Sequence, residues 1–358
     1  QCLEPLISNH IQTCLPTSFD PLQFAYRGNR STEDAIALTL HTALSHLETR
    51  GSYVSSAFNT IIPDILTSEL LSLQIPPSTC HWIKDFLTNR PQHVKHGSHL
   101  SSSILLSTGS PQGCVLSPLL FTLLTHDCTP LHSSNLFIKF ADDTTVVGLI
   151  NHGDETDYRN EVSRLTTWCA DNNLSLNVEK TKEIVVDFRR AHTQHAPLTI
   201  DGVSVERVSS TKFLGVHITE DLSWTNNTIA LARKSQQRLF FLRKLRRARA
   251  PAPILDTFYR GTTESILSCG ITVWFGACNV SCIKTLQRIV RAAEKIIGVS
   301  LPSLPDIYST RLTKKALRIA ADPTHPMQSL FELLPSGRRL RSLKARTNRL
   351  KDSFIHQA

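Results

Sequence analysis

Two adjacent carboxylates, Asp142 and Asp143, are the residues of this sequence with the clearest chemical potential. Neighbouring carboxylates disfavour joint ionisation unless a cation neutralises them. Paired carboxylate oxygens are also the ligands that hard divalent ions such as Mg²⁺ prefer. A solvated turn is the alternative interpretation, because aspartate is a common turn residue. The surrounding elements and motifs must decide between the two.

The elements around this pair are predicted to be a strand, a tight turn and a second strand. Residues 136–140 (Leu-Phe-Ile-Lys-Phe) precede the pair, and residues 144–150 (Thr-Thr-Val-Val-Gly-Leu-Ile) follow it. Both runs are rich in β-branched and aromatic residues, which favour strands. The pattern therefore places the two carboxylates at the tip of a β-hairpin.

Composition indicates a folded chain with a polyanionic partner. The chain has 358 residues, of which 41% are hydrophobic, and its formal net charge is +9. This length is enough for two or three domains with a sizeable core. A basic balance of this size favours nucleic acid as the first candidate partner.

The pattern of cysteines and the lack of long apolar runs limit the cellular compartments in which we expect this protein. The nine cysteines are odd in number and form no CxxC pair, which predicts free thiols and no disulfides. Cys278 and Cys282 are four apart, but no histidine follows at finger spacing, which argues against zinc. No apolar run reaches the ~18 residues of a membrane helix, and no signal peptide is visible. We expect a nuclear or cytoplasmic protein that is not secreted. Because the sequence opens on Gln1 and its single methionine is Met327, we also expect a fragment.

Helices are predicted over much of the first half of the chain. Residues 1–48 give two helices, and the second begins at the hydroxyl and acidic residues 31–34. Residues 63–89 are predicted to be helical with an interruption near Pro76. The glycine-containing loop 109–118 leads into a short buried helix at 119–124. Glycine in such a loop permits a close approach of backbone to ligand.

A mixed segment and then a helical segment follow the hairpin. Residues 154–172 show the periodicity of an amphipathic helix. Strands are predicted at 174–178, 183–188 and 212–218, and a hairpin turn at Asp201-Gly202. From about residue 225 the chain is helical, and the helix over 279–297 stops at Gly298.

Two clusters of positive charge follow the mixed segment. Residues 233–249 hold eight Lys or Arg and no acid, and the last 21 residues hold seven basic residues and one acid. Such a face is either simply solvated or contacts a phosphate backbone. The same two interpretations apply to the loop 24–30. The candidate contacts are Arg27, Arg30, Arg243, Lys244, Arg246 and Arg247.

The ordered set of motifs resembles the reverse transcriptase of LINE-type (non-LTR) retrotransposons. The resemblance runs over about residues 1–220 by motif and more loosely to the end of the chain. Each motif is modest alone, and their shared order and spacing make the signal specific. The motifs are residues 24–32 (GFRxGRST-like), 110–118 (PQGxxLSP), 140–143 ([FY]ADD), 177–182, and the hairpin at 213–215.

The resemblance implies an α+β fold of the right-hand polymerase type, with a palm built on an antiparallel sheet. It assigns residues 1–50 to partial fingers, 51–222 to the palm, 223–300 to a helical thumb and 301–358 to a basic C-terminal helical extension. The residue-level prediction of a mixed α+β part followed by a basic helical part agrees with this.

The implied chemistry is the addition of deoxynucleotides to the 3′ end of a DNA primer on an RNA template. Two Mg²⁺ ions ~3.5–4 Å apart serve this reaction class. By resemblance Asp142 and Asp143 hold the metals and Lys182 donates a proton to pyrophosphate. The nucleotide pocket then includes Phe58, as a gate against a 2′-hydroxyl, with Gln112 and Gly113. Phe213, Leu214 and Gly215 seat the primer end.

One departure from the family pattern concerns the first metal-binding aspartate. In the family it lies in a strand reading F-x-D-[FY]-S-x-A-F, and residues 55–58 match only the end of that pattern. Tyr53 stands in the place of the aspartate. We infer that a segment of about seven or eight residues, enough for a strand, is missing here. The second magnesium site is then incomplete. The family's basic fingers strand and its endonuclease are also not seen in this chain.

Three other functions stay open beside a polymerase. One is a non-catalytic basic nucleic-acid-binding remnant of the element, and a second is an inert remnant. A third is a two-metal nuclease, which also uses clustered carboxylates but has no need of the loop at 110–113 or of a gate aromatic.

Overall fold

The computed structural model of this chain describes residues 3–16, 19–48, 52–54, 63–107, 109–111, 114–189, 195–337 and 340–358. The helices are α1 (Leu3–Cys14), α2 (Thr32–Leu47), α3 (Pro63–Ser72), α4 (Pro77–Leu87), α5 (Leu116–Leu124), α6 (Thr156–Asp171), α7 (Thr225–Arg247), α8 (Ala252–Tyr259), α9 (Ser265–Leu267), α10 (Ile271–Trp274), α11 (Val280–Ile297), α12 (Leu304–Ala320), α13 (Asn348–Lys351) and α14 (Phe354–Gln357). A π-helical turn, Arg260–Glu264, joins α8 to α9, and a 3-10 turn spans Gln328–Leu330.

The strands are short except for one pair. They are β1 (Ser52–Val54), β2 (Arg90–Gln92), β3 (Lys95–His96), β4 (His99–Leu100), β5 (Ile104–Leu106), β6 (Asn135–Phe140), β7 (Asp143–Ile150), β8 (Lys182–Glu183), β9 (Thr199–Ile200), β10 (Val203–Ser204), β11 (Glu206–Arg207), β12 (Ser210–Phe213) and β13 (Val216–Thr219). The α+β class predicted from the sequence is confirmed.

The central sheet has the antiparallel order β1-β7-β6. On the open edge of β6, residues 22–24 add a short parallel bridge. The amide of Phe24 donates to the carbonyl of Lys139, and the amide of Lys139 donates to the carbonyl of Leu22, both at 2.9 Å. These bonds satisfy backbone groups that an open edge would leave unpaired.

Both faces of this sheet are covered, which explains the nearly continuous apolar sequence of its long strands. On one face Phe137 and Val146 pack with α5 and α6, and on the other Ile138 and Val147 pack with α2. Gly148 lets α6 approach closely, because a Cβ there would lie 2.5 Å from a ring carbon of Tyr158.

The helices from α7 to α11 share a core with β13. Buried side chains of α7 and α11 meet there, among them Leu239, Leu242 and Leu286. The side chain of Asn279 caps α11 by accepting from the amide of Cys282. Gly298 ends that helix with a φ of +88°, which a residue with a Cβ rarely adopts. The predicted helix over 279–297 and its stop are confirmed.

The C-terminal segment packs back on α2. Lys315 of α12 lies 3.2 Å from a carboxylate oxygen of Glu33 and 3.1 Å from one of Asp34. Phe354 and Ile355 join the core that includes residues of α2. This arrangement fixes α2, and with it one face of the central sheet. The domain boundaries predicted at 50, 222 and 300 stay predictions.

Three predicted strands differ from the structure. Residues 174–178 form no strand, because Asn177 accepts from the amide of Lys180 through its side chain and from that of Thr181 through its carbonyl, a local turn that competes with pairing. Of the predicted strand 183–188, only Glu183 lies in a strand, as the second residue of β8. Residues 212–218 bend into the hairpin β12–β13, since Leu214 and Gly215 have φ values of +43° and +101°.

Predicted helices agree well with the structure. The predictions at 1–48, 63–89, 119–124 and 154–172 correspond to α1 to α6, and the turn at Asp201-Gly202 joins β9 to β10. No helix in the described ranges is long and apolar enough to span a bilayer. The cysteines that lie in those ranges are free thiols.

Candidate active site

The two adjacent carboxylates lie at the tip of the hairpin of β6 and β7. The ladder runs from Asn135 opposite Gly148 to Phe140 opposite Asp143. Ala141 and Asp142 therefore form a two-residue turn. Ala141 has a φ of +56°, in the left-handed region that costs an L-residue about 1–2 kcal/mol. The predicted strand, turn and strand are confirmed.

The electrostatics of this tip favour a bound cation. Partial burial at the hairpin raises the pKa of Asp143, and the neighbouring charge of Asp142 raises it further. Both residues are exposed, so that an ion can reach their oxygens. A divalent cation relieves the repulsion, and an all-oxygen donor set fits Mg²⁺ in kind.

The number of carboxylates is smaller than the family pattern requires. Among the described residues, the one group of three His, Cys, Asp or Glu with ligand atoms within 4.8 Å of one another is Glu69, His126 and Asp127. Asp142 and Asp143 have no third such ligand in that part of the chain. The donor set thus fits the expected pair of ions only in part.

The strand that would carry the missing aspartate begins at β1. The segment inferred to be missing does not include the whole strand before Ser55, because residues 52–54 still form a strand paired with β7. Tyr53 pairs with Leu149, six residues from Asp143, or roughly 20 Å along a strand. Position 53 is therefore remote from the hairpin tip. What residues 52–54 provide is the beginning of a strand that points toward Asp143.

The group at Glu69, His126 and Asp127 was not noticed in the sequence. The ring of His126 stacks on that of Phe19 with centroids 5.4 Å apart, and Asp127 accepts a hydrogen bond from the indole of Trp168. Glu69 is on α3, whereas the other two follow α5. No local pattern relates such distant positions.

Lys182 is engaged in a different contact from the one that its predicted role needs. Its ammonium pairs with Glu206 and donates to the carbonyl of Glu179 at 3.1 Å. The contact with Glu206 follows from the parallel pairing of β8 with β11, in which the two residues lie side by side, and the contact with Glu179 is local. Its role as proton donor stays a prediction.

The three residues predicted to form the nucleotide pocket lie outside the described residues. They are Phe58, Gln112 and Gly113. The flanks of the second motif are ordered by side chains, since the hydroxyl of Ser117 donates to the carbonyl of Pro111 at 2.8 Å. The Arg90 guanidinium donates to the carbonyl of Gly109 at 2.9 Å. These bonds fix both ends of the loop that leads into α5.

The predicted primer grip, Phe213 to Gly215, lies at the tip of the hairpin β12–β13, where Phe213 ends β12 and Leu214 and Gly215 form the turn. Its strands pair from Ser210 opposite Thr219 to Phe213 opposite Val216. The amide of His217 donates to the side chain of Asn227 at 3.2 Å, which ties the hairpin to the first turns of α7. The hairpin predicted by resemblance is confirmed, and its contact with a primer stays a prediction.

Arg27 and Arg30 have structural partners. Arg27 donates to the carbonyl of Phe19 and lies over its ring. Arg30 donates to the carbonyls of Pro21, Gln23 and Thr324 at 2.7, 2.8 and 2.8 Å. The structure thus uses both guanidinium groups to fold the loop 19–30. Contact of either with phosphate stays a prediction.

The cations of α7 have a different setting. All eight basic residues between 233 and 249 are exposed. In the described ranges none of them has a carboxylate oxygen within 4.0 Å. Phe240 and Phe241 are about half exposed on the same helix, and the ammonium of Lys244 lies 4.8 Å from the ring centre of Phe240. Charge and exposed rings on one helix suit a phosphate backbone and bases.

A buried glutamine also reaches the hairpin tip and was missed in the sequence. Gln23 has none of its surface exposed. Its side chain accepts from the amide of Ala141 at 3.0 Å and donates to the carbonyl of the same residue at 3.3 Å. Because Gln23 precedes Ala141 by 118 residues, no spacing rule could have revealed this contact.

Comparison with known proteins adds a family match. The family described as "Reverse transcriptase (RNA-dependent DNA polymerase)" matches residues 1–218. A second family, "Alkylated DNA repair protein alkB homolog 8, N-terminal", matches only residues 224–265.

Two curated relatives come from mobile elements of Drosophila melanogaster. The chain is 23% identical to "Probable RNA-directed DNA polymerase from transposon X-element", over 77% of this chain and 31% of that protein. It is 27% identical to the corresponding protein of transposon BS, over 75% of this chain and 32% of that protein. The chain thus spans about a third of the length of these relatives.

Solved structures show a weaker likeness. Telomerase from Candida albicans with a fragment of telomeric RNA aligns over 92% of this chain and 57% of that chain, at 12% identity and a TM-score of 0.41. Apo telomerase from Candida tropicalis aligns over 92% and 59%, at 13% identity and a TM-score of 0.42.

Proposed function

We propose, because this chain belongs to the reverse transcriptase (RNA-dependent DNA polymerase) family, that its hairpin tip is the site at which a DNA primer is extended on an RNA template. The observation that supports this most directly is the pair of exposed carboxylates on a two-residue turn. We further propose that the chain descends from a LINE-type element and is impaired in catalysis, since its hairpin lacks a third carboxylate among the described residues.

In this proposal the carboxylates of Asp142 and Asp143 hold magnesium. Bound divalent cations in this reaction class activate the attacking hydroxyl and stabilise the leaving oxygen. The chain's own part is to present two oxygen-donor groups at one rigid point. A third carboxylate that bridges two ions must come from elsewhere, and the described part of the chain supplies none.

The hairpin β12–β13 and the helix α7 support the proposal on the nucleic-acid side. The hairpin turn at Leu214 and Gly215 is tied to α7 through Asn227. A primer end that rests on this turn places its duplex along the cations of α7. Phe58, Gln112, Gly113 and Lys182 keep the roles that the resemblance implies.

A primer-extension assay on an RNA template with Mg²⁺ tests the catalytic part. We expect this chain to bind primer–template. We expect it to extend the primer at least roughly a hundredfold more slowly than a reverse transcriptase whose metal site has all three carboxylates. The double variant Asp142→Ala–Asp143→Ala should bind equally and extend nothing, because no cation is then held at the tip. Equal extension by both chains would contradict the assignment of the site.

The second candidate function is nucleic-acid binding without catalysis, and the exposed cations of α7 favour it. Replacement of Arg243, Lys244, Arg246 and Arg247 by glutamine should weaken binding to an RNA–DNA duplex by roughly tenfold to a thousandfold at low salt. Each lost phosphate contact should also reduce the slope of log affinity against log salt by about 0.9. Fluorescence anisotropy at several salt concentrations measures both quantities.

A matched control removes the same charge from another helix. α11 carries four exposed cations, Lys284, Arg288, Arg291 and Lys295, and their replacement by glutamine changes the net charge equally. A smaller loss of affinity and slope is expected there. If both quadruple variants lose the same affinity, the effect is one of net charge, and α7 is not a specific contact face.

A further inference from the structure

We propose that Gln23 is a positioning residue for the proposed active site, one that sets the direction of the turn carrying Asp142 and Asp143. The inference depends on the proposed function, because it gives a purpose to the orientation of these carboxylates. It also goes beyond that function, since it assigns a role to a residue that lies outside the motifs of the reverse transcriptase pattern named above.

The contact geometry is that of a clamp on both sides of one residue. The Gln23 amide oxygen accepts from the backbone amides of Ala25 and Ala141, each at 3.0 Å. Its amide nitrogen donates to the carbonyl of Ala141 at 3.3 Å. The amide of Ala141 belongs to the peptide plane before this residue, and its carbonyl to the plane that joins it to Asp142. A single side chain therefore fixes both planes.

This clamp acts where the backbone is under strain. Ala141 has a φ of +56°, which an alanine leaves readily unless the surrounding structure holds it. Rotation of the plane between Ala141 and Asp142 would redirect the Asp142 side chain. The carboxylate of Asp142 would then move relative to that of Asp143. Metal sites need ligands that are held in place by such supporting hydrogen bonds.

Gln23 is itself held firmly. Its neighbours Leu22 and Phe24 bridge to Lys139, the residue two before Ala141. The Lys139 ammonium pairs with Asp20 at 3.1 Å and donates to the carbonyl of Thr125 at 2.7 Å. The Arg30 guanidinium donates to the Gln23 carbonyl at 2.8 Å. The loop 19–30 and the hairpin thus form one unit, and Gln23 is the member that touches the turn.

The test compares Gln23→Met with a matched loss of a buried amide at the other end of the same hairpin. Asn135 is 5% exposed, and its side chain donates to the carbonyl of Asp157. Asn135→Leu therefore removes a buried amide without touching the turn. The first readout is the affinity for Mn²⁺, which is measured from the EPR signal of the unbound ion. Thermal unfolding of each variant is measured as well.

We expect Gln23→Met to weaken the Mn²⁺ binding that depends on Asp142 and Asp143 by about tenfold or more. Asn135→Leu should bind Mn²⁺ with the affinity of the unchanged chain, even if its unfolding temperature falls as much as that of Gln23→Met. Gln23→Glu keeps the oxygen that accepts from the Ala141 amide. Hydrogen exchange of that amide should therefore stay nearly as slow as in the unchanged chain. Equal affinity in the Gln23→Met and unchanged chains overturns the inference.

The second readout is hydrogen exchange of the Ala141 amide, observed by NMR after selective labelling of alanine with ¹⁵N. We expect exchange at least roughly tenfold faster in Gln23→Met, because the amide loses its acceptor, and no change in Asn135→Leu. If Asp142→Ala–Asp143→Ala binds Mn²⁺ as the unchanged chain does, the metal site of the proposed function is rejected. The exchange rate of the Ala141 amide then remains as the test of whether Gln23 holds the turn. Unchanged exchange then rejects the clamp.

Discussion

Insertion of seven residues between Val54 and Ser55, with an aspartate at the sixth position, is expected to raise primer extension by roughly a hundredfold or more. The reason is the register of β1. Val54 pairs with Gly148, so the next six residues of a continued strand pair with positions 147 to 142. An aspartate at the sixth position then lies opposite Asp142, at the hairpin tip.

The length of the insertion is the sum of two parts. The register requires six residues to reach the tip. The family pattern places one aromatic residue between the aspartate and the serine that corresponds to Ser55, which gives seven in total. The five residues before the aspartate should be β-branched and apolar, because Val146 and Val147, which they would flank, are buried on opposite faces of the sheet.

Two controls separate the carboxylate from the restored strand. The same insertion with asparagine at the sixth position should restore pairing and little activity. An insertion shortened by one residue before the aspartate turns that side chain to the other face of the sheet, and should also be inactive. Activity in either control, or none in the seven-residue insertion, would show that the missing carboxylate does not explain the defect.

Loss of the buried charge of Lys139 is expected to destabilise the fold by about 3–5 kcal/mol. Lys139 and Asp20 are each 2% exposed at the side chain, and their charged atoms are 3.1 Å apart. Lys139→Met leaves the buried carboxylate of Asp20 without its ion-pair partner, and only the weaker attraction of Arg27 and His126 remains. Urea unfolding measures the difference. The double variant Lys139→Met with Asp20→Leu should recover most of the loss, since it removes both charges.

The loss of stability in Lys139→Met should be smaller at low pH than at neutral pH. Burial raises the pKa of Asp20, and the charge of Lys139 offsets this in part. In Lys139→Met the folded-state pKa of Asp20 rises further above its unfolded value. The folded state then holds the proton more tightly, so that stability is greatest below the unfolded pKa and falls as the pH rises through the folded pKa. Unfolding at pH 4 should therefore show a smaller defect than unfolding at pH 7, and an equal defect would contradict the ion-pair explanation.

Local patterns in the sequence predicted the hairpin and most helices. The β-branched runs on either side of Asp142 and Asp143 favour strands wherever they lie, and Gly298 ends α11 through its own backbone freedom. Such signals depend on neighbours in the chain. The failure at 174–178 is of the same local kind, because the turn made by Asn177 outcompeted an apolar pattern.

Long-range contacts explain what the sequence could not show. Arg27 and Arg30 look like phosphate ligands in a basic loop, yet their partners are carbonyls, one of which belongs to Thr324. Gln23 looks like an ordinary polar residue until Ala141 lies beside it. The strand at residues 52–54 is three residues long, below what periodicity can detect, and only its pairing with β7 reveals it.

The packing of the C-terminal segment on α2 has a consequence for synthesis on the ribosome. Glu48 accepts hydrogen bonds from the amides of Arg346 and Thr347, which lie 298 and 299 residues further along the chain. α2 is therefore made well before the groups of the segment around residue 350 that cover it. The apolar side chains of α2 that face this segment therefore stay exposed to chaperones and to other nascent chains until the residues around 350 have left the exit tunnel.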